Sequence, residues 1–205
     1  NPIGINIIDV PFAYGGIIEN NIFNSSSPTT LSFNGVTIIN VKSMQVGGLT
    51  NISQGNSFKD LINGIDVRRG KNVTYASTIG LYNNNFENMR FNYGLPPELR
   101  DSAVIAMSGN WIGSAIYAAG WYDNLLTVNV DNTLADPLVR ILNCDIGIGS
   151  NNANMNIANS DIENATLGIV SASYGNEDYN IHDNIINKVH IGIGQYGNIA
   201  STQIR

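Results

Sequence analysis

The fold of this chain is decided by two stretches of equal length, residues 157–169 (IANSDIENATLGI) and residues 181–193 (IHDNIINKVHIGI). In both, an aliphatic residue is followed by a small polar residue, then by Ile, and a Gly-Ile pair comes six residues after that Ile. The pair Gly64-Ile65 likewise stands six residues after Phe58. Two landmarks that keep the same spacing in three segments indicate an internal repeat.

Seven segments carry the first landmark. They are IENNIF ending at Phe23, SQGNSF at Phe58, LYNNNF at Phe86, MSGNWI at Ile112, ILNCDI at Ile146, IANSDI at Ile162 and IHDNII at Ile186. Their small polar positions are Asn21, Asn56, Asn84, Asn110, Cys144, Ser160 and Asn184, at spacings of 35, 28, 26, 34, 16 and 24. Sixteen residues are too few for an ordinary coil, so the register slips near Cys144.

Each segment fits a short strand, a corner and another strand, with too little apolar surface to fold alone. Stacked coils would place the Ile and Phe residues in inward columns and the Asn residues in a corner column, where amides hydrogen-bond along the axis. The pattern therefore predicts an all-β fold, a right-handed parallel β-helix (solenoid) of about six to eight coils that rise about 4.8 Å each. A β-sandwich would instead require hairpin turns.

This repeat resembles that of right-handed parallel β-helix, pectate-lyase-like repeat proteins of the secreted bacterial type. That group includes pectate lyases, polygalacturonases, alginate epimerases, phage tailspikes and bacterial surface proteins. The resemblance covers most of the chain, from about Ile17 to Ile193, and implies an extracellular or cell-surface location. It specifies architecture better than activity, because one fold hosts many functions.

Composition narrows the classes of partner. Charged residues make up only 13% of the chain, whereas Gly numbers 21 and Asn 32, which suits many tight corners. A net charge of −6 argues against nucleic-acid binding, and no apolar run is long enough to insert in a membrane. The lone cysteine, Cys144, is interpreted as a small buried side chain.

Residues 1–205 are expected to form a single β-helix domain, with a protruding loop at 88–102 that contains Pro96-Pro97. Neither end of the sequence predicts a helix or loop that would cover a terminal coil. We therefore expect the domain to be a segment of a longer chain, whose remainder would be its neighbour.

Asp145 and Asp161 are the candidate catalytic residues. Both stand one residue before an Ile of the repeat, so neighbouring coils would hold them about 5 Å apart, close enough to share a proton or a Ca²⁺ ion. The alternative is that each Asp solvates a corner. The polygalacturonase elements NTD, DD, GHG and RxK that the resemblance would imply are not present in the sequence.

Two further sets of polar residues are of types that can carry chemistry. Arg68, Arg69 and Lys71 follow Asp66 in GIDVRRGK, but the sequence brings no second acid to them. His182 and His190 lack the spacing of a metal site, so the sequence predicts no cofactor. The one exception is Ca²⁺, which the pair of Asp145 and Asp161 would be able to bind.

Aromatic residues concentrate between Tyr82 and Tyr122. Five of them are candidate substrate-binding residues, because exposed rings stack on sugar faces: Tyr93, Trp111, Tyr117, Trp121 and Tyr122. The alternative is that these rings pack the loop onto the rod.

Three functions follow as expectations. The first is a rigid scaffold or adhesion module that contacts a polysaccharide or surface glycan and is not an enzyme. The second is a polysaccharide lyase, glycoside hydrolase or epimerase that acts in a groove along the solenoid. The third is a phage-type receptor-binding spike, which would require trimerisation.

Overall fold

The computed structural model describes residues 3–11, 15–25, 34–48, 54–90, 113–121, 123, 125–131 and 139–205. Their regular structure is almost entirely β. The strands are β1 (Ile3–Val10), β2 (Gly16–Ile18), β3 (Ile22–Asn24), β4 (Asn34–Val41), β5 (Ser43–Val46), β6 (Ser57–Lys59), β7 (Asn63–Arg68), β8 (Ser77–Tyr82), β9 (Asn85–Glu87), β10 (Ser114–Ala119), β11 (Leu126–Asp131), β12 (Val139–Leu142), β13 (Ile146–Asn151), β14 (Asn154–Ala158), β15 (Ser160–Glu163), β16 (Leu167–His182), β17 (Ile185–Asn187) and β18 (Ile191–Ile204).

Strands of successive turns pair in parallel, each with the corresponding strand of the turn before and after. The first strand of each turn gives the series β1-β4-β7-β10-β13-β16-β18, and the second gives β2-β5-β8-β11-β14-β16-β18. The third strands form a separate six-stranded sheet, β3-β6-β9-β12-β15-β17. The described chain therefore makes five turns of three strands, a sixth in which β16 supplies the first two strand positions and β17 the third, and a seventh with β18 alone. This is consistent with the predicted parallel all-β solenoid.

The Gly-Ile landmark is a column of the first strands. Pairing aligns Ile65 with Ile116, Ile148, Ile169 and Ile193 in later turns. A Cβ on the preceding Gly64 would lie 2.6 Å from the Phe86 ring, and one on Gly168 would lie 3.0 Å from Ile186. The two sequence landmarks are therefore one packing unit, because the missing side chain of the glycine makes room for the Phe or Ile of the same turn.

The small polar landmark is a second column, at the corner before the third strands. The Asn56 side-chain amide donates to Asn84 Oδ1 at 2.9 Å and to the Ile18 carbonyl at 2.9 Å, and its Oδ1 accepts from the Asn21 amide at 3.1 Å. The Asn column predicted from the sequence is therefore present in these turns. Asn110 lies outside the described residues.

Cys144 is not part of that column, so the prediction that placed it there was wrong. Ile141, not Ile146, pairs with Phe86 and with Ile162, so Val139 takes the place level with Ser160. Cys144 lies five residues further on, just before β13, and is buried. The slip that the sixteen-residue spacing indicated is thus a shift of five residues, and Gly147 stands six residues after Ile141 as the repeat requires.

Asparagine and aspartate make the corners. Twelve described residues other than glycine have positive φ, of which eight are Asn, three are Asp and one is Lys188. One corner column runs through Asp60, Asn88, Asn143, Asn164 and Lys188, with φ between 52° and 61°. Because Asn and Asp tolerate this backbone conformation better than other side chains, the stacked corners account for part of the Asn-rich composition.

The interior is a continuous apolar core. It contains three stacked rings, with centroids of Phe23 and Phe58 4.7 Å apart and those of Phe58 and Phe86 4.9 Å apart. Of the predicted protruding loop at 88–102, only residues 88–90 are described, so that prediction falls outside the described part of the chain.

Candidate functional site: an aromatic corner

Exposed aromatic side chains gather at one corner of the solenoid, where the first strands end. Among the described residues the exposed aromatics are Trp121, Tyr174 and Tyr196, which are 39%, 65% and 55% exposed. Strand pairing brings Ala119, Ala172 and Tyr196 into one column. Trp121 and Tyr174 each lie two residues after their member of that column. These three residues, called the aromatic corner below, belong to the fourth, sixth and seventh turns.

A buried arginine fixes the loops at this corner. The Arg69 side chain is fully buried, and its guanidinium donates to both carboxylate oxygens of Asp123 at 2.8 and 2.6 Å. It also donates to the carbonyls of Val73 and Tyr75. One side chain thus ties the loop after β7 to the loop after β10, and charge-assisted bonds of this kind are among the stronger ones in proteins.

The two tied loops bring Lys71 to Trp121. The Lys71 ammonium lies 5.8 Å from the centroid of the Trp121 indole, within the range of a cation–π contact. Both side chains are exposed, so they present a positive charge beside a flat apolar surface. That combination is suited to a ligand with an apolar face and an anionic or hydroxylated edge.

A second cation–aromatic pair lies next to the corner on β7 and β10. Arg68 Nε donates to both oxygens of Asp66 at 2.8 and 3.1 Å, and the guanidinium lies 5.7 Å from the Tyr117 ring centroid. Asn34 also donates to Asp66, at 3.1 Å. The carboxylate is therefore held by donors on two strands while about half of the Arg68 side chain remains exposed.

The Tyr117 hydroxyl is electrically neutral over the physiological range. Burial raises the pKa of Tyr117 to about 12, and this effect exceeds the opposing one of the Arg68 charge. The hydrogen bond that Arg68 donates to Asp66 is the largest cause that raises the pKa of Arg68. The pair can therefore offer hydrogen-bond donors and one positive charge, but it holds no base that is free at neutral pH.

The structure separates the two candidate catalytic residues. Asp161 lies on β15, where it pairs with Arg140 and Ile185. Asp145 directly precedes β13 of the other sheet and is 1% exposed. The expected register of Asp145 with Asp161 was wrong for the same reason as the register of Cys144, and their catalytic role stays a prediction.

Of the candidate substrate-binding residues, Tyr117 and Trp121 are brought to the same corner, whereas Tyr93, Trp111 and Tyr122 lie outside the described residues. The sequence argument missed Tyr174 and Tyr196. The sequence spacing would have been sufficient to predict the place of Tyr174. Gly168 and Ala115 occupy the same position in the glycine column of the first strands, and Tyr174 and Trp121 each stand six residues after it.

Within the described ranges, no three His, Cys, Asp or Glu side chains are grouped as a metal site would require. The same part of the chain contains no helix with the length and apolarity to cross a membrane. Comparison with models of protein families, with curated proteins and with solved structures found no match to this chain.

Proposed function

We propose that this chain is a module of a secreted or cell-surface protein that acts as a rigid scaffold and contacts glycans through its aromatic corner. The observation that carries the proposal is the placement of all the exposed aromatic rings of the described residues at one corner, in turns four, six and seven. Rings exposed singly are ordinary, but rings aligned along one edge of a rod form a surface that an extended polymer can follow.

The architecture within this proposal is a right-handed parallel β-helix. Three parallel strands a turn and a repeated Gly beside Phe or Ile support the assignment. The handedness rests on a general rule, since connections between parallel strands of one sheet are almost always right-handed.

The ligand class follows from the chemistry at the corner. Aromatic rings stack on the apolar faces of sugars, and Lys71 and Arg68 add positive charge beside Trp121 and Tyr117. Among the described residues, the acids that lie with them are Asp66 and Asp123, and these are bonded to Arg68 and Arg69. An acidic polysaccharide fits this arrangement better than a neutral one.

An enzyme is the second candidate, favoured by the position of Asp66 beside Tyr117 on neighbouring strands. A lyase, hydrolase or epimerase would need a proton acceptor, and Asp66 is a carboxylate that the described residues place beside Tyr117. Its oxygens already accept hydrogen bonds from Arg68 and Asn34, so they would have to leave or share these donors to take a proton from a substrate. The binding module is therefore the stronger proposal.

Binding is tested by affinity electrophoresis through gels that contain acidic or neutral polysaccharides. We expect retardation by an acidic polymer, and a loss of about two- to twelvefold in affinity for Trp121→Ala, since an aromatic contact contributes about 0.5–1.5 kcal/mol. Ile22→Ala, which removes an exposed side chain from the six-stranded sheet, is the matched control. Lys71→Ala is compared with Lys59→Ala on that sheet in the same way.

Two outcomes would contradict the proposal. Equal retardation of Trp121→Ala and Ile22→Ala would show that the aromatic corner does not bind the polymer. The absence of retardation by any polymer would show that the chain does not bind these glycans. Incubation with the same polymers, followed by assay of reducing ends and unsaturated products, tests the enzyme. Turnover by the unmodified chain that is lost in Asp66→Asn would show that the chain is an enzyme and would overturn the proposal of a non-catalytic scaffold.

A further inference from the structure

A pocket opens on the outer face of the second strands. Strand pairing aligns Gln45 of β5, Gly80 of β8 and Asn129 of β11 in one outward column. Because Gly80 has no side chain, the column has a gap between two amides, and the Tyr82 phenol lies over it: a Cβ on Gly80 would lie 2.7 Å from the Tyr82 hydroxyl. These four residues and Thr78 belong to the lining of a pocket of about 250 Å³.

The pocket offers hydrogen-bonding groups that the described part of the chain does not use. The Gln45 side-chain amide donates to a backbone carbonyl at 2.7 Å, which leaves its own carbonyl oxygen as an acceptor. Asn129 Oδ1 accepts from Asn156 at 2.7 Å, which leaves the amide hydrogens of Asn129 as donors. The hydroxyls of Thr78 and Tyr82 bond to no other described residue. A ligand rich in hydroxyl groups would satisfy these donors and acceptors.

The charge around the pocket restricts the ligand further. None of the described residues that line it is Lys, Arg, Asp or Glu. Asp131 pairs with Tyr82 across the strands, and its charge raises the pKa of Tyr82 further after the larger effect of burial. The ordinary tyrosine value is already about 10, so the Tyr82 hydroxyl remains a donor at physiological pH. A carboxylate on the ligand would be repelled by Asp131, which favours a neutral ligand.

We infer that this pocket binds one ring of a neutral sugar, a pyranose with several hydroxyl groups and no carboxylate. The Tyr82 ring provides a surface for the apolar face of the sugar, and Gln45 and Asn129 bond to its hydroxyls. Ile17, which precedes Gln45 in the column and is 59% exposed, adds apolar surface at the other side. Pockets for drug-sized ligands span roughly 300–1,000 Å³, so this smaller one suits a single ring.

The ring can belong to a free sugar or to a glycan chain. The amide column continues beyond Asn129 through Asn156 and Asn180 of the next two turns. Amides that repeat about every 4.8 Å along the rod would reach further units of a chain that starts in the pocket. The site shares no residue with the aromatic corner, so it is independent of the proposed binding of acidic polysaccharides there.

The experiment is a titration followed by saturation-transfer difference NMR, with glucose, galactose, mannose and N-acetylglucosamine as probes. We expect saturable binding of at least one of them, and about fivefold weaker binding of glucuronate or galacturonate than of the neutral sugar with the same ring. Tyr82→Ala should weaken binding by about two- to twelvefold, because the sugar loses its aromatic surface. Asn129→Ala should weaken it by a similar factor, because a hydrogen bond to the ligand is lost.

Asn187→Ala is the matched control for Asn129→Ala, since Asn187 is an exposed amide on the six-stranded sheet. If Tyr82→Ala does not fold, Tyr82→Phe removes the hydroxyl and keeps the ring. A trisaccharide of the bound sugar distinguishes the two sources: tighter binding than the free sugar assigns the pocket to a glycan chain, and equal binding assigns it to a free sugar.

Three results would overturn the proposal. They are no binding of any of the four sugars or of their trisaccharides, equal binding of a neutral sugar and its uronate, and equal effects of Asn129→Ala and Asn187→Ala. A failure of acidic polymers to retard the chain would contradict only the role of the aromatic corner, because the two tests use different ligands and different residues.

Discussion

The stacked phenylalanine rings allow a quantitative test of the stacking of turns. Phe58 is completely buried between Phe23 and Phe86, and its planes lie within 7° and 10° of theirs. Truncating a buried Phe to Ala costs about 3–5 kcal/mol. Because Phe58 loses two stacked neighbours, worth about 0.5–1.5 kcal/mol each beyond area burial, we expect Phe58→Ala to reach the upper part of that range.

Phe23→Ala is the matched comparison. Phe23 is only partly buried, lies in the first turn and stacks on one ring, so its loss should cost about half as much. The measurement is urea unfolding followed by circular dichroism, with Phe58→Leu to separate lost volume from lost stacking. Since each turn contacts only its neighbours, the comparison also reports whether the first turn frays before the third.

Two results would refute the reasoning. A cost below about 1 kcal/mol for Phe58→Ala would mean that the ring is not enclosed, since even modest core truncations exceed that value. A larger cost for Phe23→Ala than for Phe58→Ala would mean that turns one to three do not stack in the order β3-β6-β9.

Three further predictions concern single side chains. Asn56→Ala should lower the free energy of unfolding in urea by about 1–3 kcal/mol, because it leaves buried hydrogen-bond partners unbonded. Asn184→Ala, at the half-buried end of the Asn column, should lower it less. The reverse order would contradict a column of hydrogen-bonded Asn side chains. Burial raises the pKa of Cys144 to about 12, so its thiol should not react with a disulfide reagent at pH 8 until urea unfolds the chain. Prompt reaction of the native chain would show that the Cys144 thiol is exposed. The folded-state pKa of Tyr117, about 12, lies above the ordinary tyrosine value of about 10, so the contribution of Tyr117 to stability is full below pH 10 and is lost as pH rises towards 12. An ultraviolet titration should show a phenol that ionises well above pH 10 and that is missing in Tyr117→Phe. An identical titration of the two proteins would contradict this prediction.

The spacing of glycine and apolar residues was sufficient to predict a parallel all-β fold. The reason is physical: each glycine leaves room for the Phe or Ile that the third strand of the same turn places against it, so the recurring spacing of the two landmarks follows the succession of turns. Gly64, Gly168 and Gly192 gave the register correctly, because each combines two independent landmarks. The pairing of whole strands then follows from the column of Ile residues.

The register failed where only one landmark was used. ILNCDI at 141–146 resembles IANSDI at 157–162 over six residues, and the resemblance placed Cys144 and Asp145 level with Ser160 and Asp161. The structure aligns Ile141 with Ile162, so the decisive residue was Gly147, six positions after Ile141. A small polar residue before an Ile is common in this composition, whereas a glycine at the required distance is not.

The candidate site was harder to predict than the fold. Tyr117 and Trp121 were found as part of an aromatic stretch, but Tyr174 and Tyr196 are far away in sequence and join them only through the pairing of turns. Arg69 could not be recognised as the residue that ties two loops, because its partner Asp123 is 54 positions away. Such contacts depend on the lengths of the intervening loops, for which the repeat provides no rule.

Stacking also explains why this chain has so few charges. Equivalent positions of successive turns lie about 4.8 Å apart, so like charges in one column would repel along the whole rod. Where charges do occur in the six-stranded sheet they pair with the opposite sign in the next turn: Lys59 lies 3.0 Å from Glu87, and Arg140 lies 3.7 Å from Asp161. Elsewhere neutral amides avoid the repulsion and bond to one another, as Asn156 does to Asn129 at 2.7 Å. A charged residue in a column thus constrains its neighbours one turn away. Arg69 fits the same rule, since it is bonded to Asp123 of the next turn, whereas Arg68 is bonded to Asp66 of its own strand.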